Sequence, residues 1–208
     1  MSGLLVACIS DAASLIGVPT EMAKHFLQRR QKELQEIILQ EVRDGDFSRV
    51  NQDDILSIVY RLLNDINEGV GKNNIRLLAR LILGMNNKEQ LSSSRFHHFN
   101  TILSELSYEQ IQFLAEIVKA YKDPMTSIAI SKQHRELFGI IKLAPADVFA
   151  VKKAVSKTKG SAVLLSLLGT GFFETFNPDI YPYKLSVLFK EFMDLVGIWD
   201  DVAKWERD

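Results

Sequence analysis

The chain has 208 residues, 47% of them hydrophobic and 25% charged, which suits a packed core and a length of one substantial domain or two small ones. Lys and Arg number 25 against 26 Asp and Glu, a balance that argues against a general nucleic-acid coat or an acidic tail protein and leaves room for local patches. A single cysteine, Cys8, rules out an internal disulfide framework and fits a reducing cytoplasm, the expected location.

The opening run GLLVACISDAASLIGV is strongly apolar, yet no Lys or Arg precedes Lys24, so the basic start of a signal peptide is missing. Asp11 interrupts the run before it reaches the ~20 apolar residues of a membrane span. A helix buried or packed at an interface is expected there.

Pro19 suits the first turn of a helix that ends at Asp44-Gly45, with Ala23, Leu27, Leu34 and Ile38 on its apolar stripe. Its Arg29, Arg30 and Lys32 lie next to Glu33 and Glu36, which reads as a charge-compensated solvated face. Asp53 and Asp54 open a second amphipathic helix through Ile55, Ile58, Val59, Leu62, Leu63 and Ile66, and Gly69 and Gly71 predict a break after it. The next stretch, NNIRLLARLILGM, is apolar almost all round and is expected to be central to the core, with Asn73 and Asn74 as its cap.

Phe96, Phe99, Ile102, Leu103 and Leu106 mark a fourth helix, for which the Ser92–Ser94 run is a start signal. Ser107 and Gln110 form a capping-box pattern before a fifth helix carrying Ile111, Leu114, Ala115 and Val118. Residues 123–145 read as a loop with one short helix, and Ala146 to Lys157 as a further helix opened by Pro145. The expected fold is therefore mainly α: a helical bundle over 1–125, then a winged-helix-like helix–hairpin–helix region over 126–208, the two forming separate parts or one continuous domain.

Catalytic and ligand motifs with specificity are absent from the sequence. No Gly-rich phosphate loop joins a strand to a helix. His97 and His98 are neighbours and point about 100° apart on a helix, so they do not share one ion. Cys8 lies in an apolar run, which raises a thiol pKa. Neither catalytic residues, a metal site nor a cofactor is expected, and a non-enzymatic protein is.

The C-terminal region carries Lys152, Lys153, Lys157 and Lys159 close together, followed by an acidic final segment. In a DNA-reading winged helix the helix before the wing offers Arg, Lys, Asn, Gln or Ser to base edges. Here that helix is SAVLLSLL, with neither charge nor amide, and the wing carries Glu174 and Asp179 against Lys184. The hairpin instead has aromatics in alternation on both faces, with Phe172, Glu174 and Phe176 opposed to Phe173 and Thr175. One face of the ribbon can pack on the flanking helices, and the other is covered either by the protein's own helical part or by a partner. Phe173, Tyr181 and Tyr183 are the candidate contacts for a protein partner or a second copy of the chain. The alternative is nucleic-acid binding through Lys152, Lys153, Lys157 and Lys159. Membrane action through the apolar N-terminal run is a third, less favoured reading.

The segments RRQKELQEIILQEVRDGD, EGVGKNNIRLLARLILGM, LSYEQIQFLAEIV and LLGTGFF, with the Tyr-containing hairpin after them, resemble a family of uncharacterised, mostly helical bacterial proteins. That family is associated with prophage and mobile-element neighbourhoods. The resemblance implies no catalytic residues and raises the expectation of a defence, counter-defence or regulatory role.

Overall fold

The computed structural model describes residues 21–122, 146–158, 160–177, 181–197, 199 and 201–205, without the side chains of 21–27, 149, 177, 181 and 203. The apolar opening run, Cys8, the 123–145 segment and Lys159 lie outside the described residues. Eight α-helices and one two-stranded antiparallel sheet make up the described chain, so the fold is mainly α with a single hairpin near the C-terminus. The chain divides into two compact units, one running through Leu106 and including Leu195–Gly197, the other comprising the rest from Ser107.

In the first unit, α1 (Glu21–Val42) packs on α3 (Lys72–Asn87), while α2 (Gln52–Glu68) and α4 (Ser93–Leu103) pack on each other. The stripe predicted for α1 buries Leu34 and Ile38. Arg30, expected on a solvated face, instead donates to the Val70 carbonyl at 3.0 Å. Helix α2 starts at Asn51, whose side chain accepts from the Asp53 N–H, and stops at Gly69. Gly69 takes φ 92°, a left-handed value that glycine adopts without a Cβ penalty, and its N–H returns to the carbonyls of Asp65 and Ile66. The predicted break is thus a helix stop followed by a new start.

Helix α3 is central to the unit, with Ile75, Leu77, Leu78, Ala79, Leu81, Ile82 and Met85 all buried. The expectation that Asn73 and Asn74 cap it is corrected: Gly71 occupies the cap, and both asparagines are buried inside the helix. Asn74 Nδ2 donates to the carbonyls of Leu103 at 2.6 Å and Leu106 at 2.8 Å. A helix end leaves its last carbonyls without intrahelical partners, and this amide supplies partners at the end of α4. Glu41 on α1 ties the same helix down through ion pairs with Arg76 at 3.3 Å and with Arg80.

In the second unit, α5 (Tyr108–Lys122) begins with the predicted capping box in both directions. Ser107 N–H donates to Gln110 Oε1 at 2.7 Å, and Gln110 N–H to Ser107 Oγ at 3.2 Å. This helix, which the sequence places with the first part, packs on α6 (Ala146–Thr158) and α7 (Ser161–Leu167) within the second unit. A 3₁₀ turn, Leu168–Thr170, leads to Gly171 at φ 77° and into the hairpin of β1 (Phe173–Asn177) and β2 (Tyr181–Leu185). Helix α8 (Val187–Val196) follows, opened by Ser186, whose Oγ accepts from the Phe189 N–H at 3.1 Å.

An aromatic cluster closes this core. Phe172 stacks on Phe192 at 5.3 Å, Phe192 meets Trp199 edge-on at 5.3 Å, and Phe189 touches all three. Trp199 satisfies its indole N–H on the Met193 carbonyl at 3.0 Å, so its burial leaves no orphan donor.

Candidate functional site

The hairpin register pairs Phe173 with Leu185, Glu174 with Lys184, Thr175 with Tyr183 and Asn177 with Tyr181. Cross-strand partners share a face, so Phe173, Thr175, Tyr183 and Leu185 lie together and Glu174 and Lys184 lie opposite. Phe173 and Leu185 are buried, with Phe173 stacked near Phe189 at 6.2 Å. On the other face Glu174 and Lys184 form an ion pair at 3.0 Å, and Phe176 is exposed near the tip. Of the three residues proposed for partner contact, Phe173 therefore belongs to the aromatic core and Tyr183 is half-buried. The side chain of Tyr181 lies outside the described residues.

Tyr183 and its neighbour Pro182 form one wall of a groove of about 350 Å³. Its other walls are Val148, Val151 and Val155 of α6 with Leu164 and Leu165 of α7. Strand β2 packs on α6, which fixes the hairpin wall against the helical one. Valines at spacings of three and four put three branched side chains on one face of α6, and Leu164 and Leu165 of α7 line the same groove. Polar groups enter at Lys152, Ser156 and Ser161, and no carboxylate is among the described lining residues. Leu165 is 60% exposed at the middle of α7, whereas Leu164 and Leu167 on the same short helix are buried. In this element order α7 occupies the place of a DNA-reading helix, and it offers solvent a leucine there.

The lysine cluster divides between two surroundings. Lys152 borders the apolar groove, whereas Lys153 and Lys157 face a separate depression of about 290 Å³ between α5 and α6. Lys119, Ala120 and Glu116 of α5 line the far side of that depression. Glu116 accepts from Lys157 and, at 3.5 Å, from Lys119. Burial pushes the Glu116 carboxyl up, but the hydrogen bond and charge of Lys157 together with Lys119 outweigh it and hold the group below its ordinary value. Glu116 therefore stays ionised and offsets part of the positive charge. Lys119 and Glu116 were not legible as members of this cluster, because they precede α6 by about thirty residues and sit within an ordinary amphipathic pattern.

A hydroxyl–imidazole pair also forms in the first unit, where Ser57 Oγ and His97 Nε2 lie 3.1 Å apart. Among the described residues no carboxylate accepts from the His97 ring, so the pair lacks the third group that orients a catalytic base. It links α2 to α4. Among the described residues, no group of three or more His, Cys, Asp or Glu side chains is placed to hold a metal ion, and no helix is long and apolar enough to cross a membrane.

Comparison of the chain with protein-family models, with curated proteins and with solved structures returned no match.

Proposed function

We propose that this chain is a non-enzymatic interaction protein that binds a partner protein, or a second copy of itself, through the groove between α6, α7 and β2. One observation carries the reading: Leu165 stands 60% exposed on the lip of an aliphatic groove of about 350 Å³. An apolar residue that could have faced the core, on a helix whose neighbours do so, costs solvation free energy until something covers it. Tyr183 and Pro182 supply the kind of rigid amphipathic wall that recurs at protein interfaces. The resemblance to prophage-associated bacterial proteins supports a regulatory, defence or counter-defence setting, with the chain working in the cytoplasm.

The test uses Leu165→Asp, a change at an exposed position that leaves the core intact. Wild type and variant are compared by light scattering across a concentration series and by panning both against a library of short random peptides. Self-association or peptide capture that disappears in the variant is the expected result. Identical behaviour of the two proteins in both assays would remove the groove as the functional surface.

A second reading has its own observation. Lys119, Lys153 and Lys157 converge on the α5–α6 depression, the charge type that contacts nucleic-acid phosphates. Glu116 in the same depression weakens it, and neither the leucine of α7 nor the Glu174–Lys184 pair of the hairpin adds a reader of base edges. Anisotropy of labelled DNA at about 50 and about 200 mM salt tests it, because phosphate-driven binding falls steeply over that range. Binding that collapses with salt and with Lys153→Glu would favour this reading over the groove.

A further inference from the structure

We propose that the α5 face carrying Tyr108 and Gln112 is a docking site for a short turn with an aliphatic and an aromatic residue three apart. The chain's own Val202–Trp205 segment fills that site and acts as a built-in competitor of a partner presenting the same turn. None of these residues lines the groove between α6, α7 and β2, so the inference stands apart from the groove reading.

The seated segment shows what the site accepts. A 3₁₀ turn, Val202–Lys204, packs on α5, and Val202 and Trp205 are both buried. Asp201 and Lys204 are exposed and pair with each other at 2.8 Å, so the turn has an apolar side and a charged one. The polar contacts to it come from α5. Tyr108 Oη donates to the Trp205 carbonyl at 3.0 Å, and Gln112 Nε2 to the Val202 carbonyl at 2.7 Å. Four residues apart on one helix, the two donors share a face. Both bonds end on main-chain carbonyls, which every sequence carries. The site therefore selects the turn and its two apolar side chains, and another segment of that shape meets the same donors.

The attachment is local, which lets the segment leave without melting the unit. Its ion pair is internal, and the Trp205 N–H returns to the Val202 carbonyl at 3.1 Å, so both bonds travel with the turn. The chain before it is fixed independently, because Trp199 sits in the aromatic cluster with its indole N–H on the Met193 carbonyl. A short segment held at one face opens far more readily than such a core. Tethering gives it the advantage of an intramolecular ligand, so a partner has to outcompete a high effective concentration.

The probe is a synthetic peptide of residues 200–207, DDVAKWER, added to the full chain. In wild type, excess peptide should speed hydrogen exchange at the Lys204 and Trp205 amides by displacing the turn, while the amides of α8 stay unchanged. The double change Val202→Ser and Trp205→Ala opens the site, and circular dichroism checks that this variant folds. It should bind fluorescein-labelled peptide about tenfold or more tighter than wild type, the handicap of a site covered about nine-tenths of the time. Adding Tyr108→Phe and Gln112→Ala to the opened variant should remove that binding.

Unchanged exchange in wild type at saturating peptide would reduce the contact to ordinary packing and overturn the proposal, whether or not the opened variant folds. A folded opened variant that binds no better than wild type has the same meaning. Binding that survives loss of the Tyr108 hydroxyl and the Gln112 amide would place the peptide elsewhere and equally end it.

Discussion

The Asn100 Nδ2 donates to Asp65 Oδ1 across 3.4 Å, and both side chains are fully buried. Arg61, one turn earlier on α2, reaches the same oxygen at 3.2 Å. Asp65 Oδ2 and Asn100 Oδ1 are then buried acceptors with no donor among the described residues. A proton on Asp65 supplies a donor that the ionised carboxylate lacks. Burial pushes this carboxyl up to about 6, Glu68 adds to the rise, and Arg61 and Asn100 pull against it.

The consequence is a pH-dependent stability with a defined sign. In the unfolded chain the group titrates near its ordinary value of 3.8. Between there and about 6 the folded protein holds a proton that the unfolded one has released, so stability falls as pH rises through that window. Asp65→Asn places a permanent amide donor opposite Asn100 Oδ1 and removes the titration. It is expected to flatten the slope and to raise stability above pH 6 by on the order of 2 kcal/mol. Urea unfolding at pH 4.5 and pH 7.5 measures both; an unchanged slope in the variant would show that another group sets it.

Asn74 is the most exacting polar position of the first unit, because one Nδ2 serves two carbonyls at the end of α4. Asn74→Ala leaves the Leu103 and Leu106 carbonyls short of a partner in a buried place, a loss of about 2–3 kcal/mol. Asn74→Asp is nearly the same shape but turns a donor into a charge facing two acceptors. It is expected to cost more than the alanine. Thermal unfolding of the two variants side by side gives the order, and an aspartate as stable as the alanine would mean that the amide is not the anchor.

This position also shows where local reading stops. The sequence shows a glycine followed by two asparagines, which is a sound cap signal, but the carbonyls that Asn74 serves lie 29 and 32 residues further on. Signals that need only neighbours were legible: the Ser107–Gln110 box, the Gly69 stop, the Ser92 start and the order of helix, hairpin and helix in the second unit. The groove was not. Val148, Val151 and Val155 have the spacing of any core-facing stripe, and only the placement of Leu165 and β2 beside them makes a cavity. The hairpin aromatics were legible as a group, yet alternation alone does not say which face meets the core. The register and the aromatic cluster around Phe172, Phe189, Phe192 and Trp199 settle that for Phe173.

Gly160 joins α6 to α7, and space rather than conformation demands the glycine. A Cβ there would lie 2.6 Å from the Phe113 ring and 2.5 Å from Thr158 Oγ1. The Phe113 ring is buried and Thr158 is held by the Ala154 carbonyl at 2.8 Å, so neither yields without cost. Gly160→Ala is expected to destabilise by about 1–3 kcal/mol, the usual cost of forcing extra atoms into a packed interior. Pairing it with Phe113→Leu, which trims the ring, should recover part of that loss. Denaturant unfolding of the single and double variants decides; additive losses would place the strain elsewhere.

The hairpin and α7 give a direct separation of core from surface. Phe173 is buried beside Phe189, and removing its ring leaves a cavity, so Phe173→Ala should cost about 3–4 kcal/mol. Leu165 is 60% exposed, and Leu165→Ala should change stability by no more than about 0.5 kcal/mol in either direction. Tyr183 is half-buried in the groove wall, and Tyr183→Phe keeps its packing while removing the hydroxyl, so it should behave like Leu165→Ala in stability. The three are compared by thermal unfolding at one pH. If Leu165→Ala destabilises as much as Phe173→Ala, then Leu165 is holding the unit together and the apolar lip of the groove is structural. If it is neutral, its exposure is available for binding, and loss of peptide capture by Leu165→Asp reports on the groove itself and not on folding.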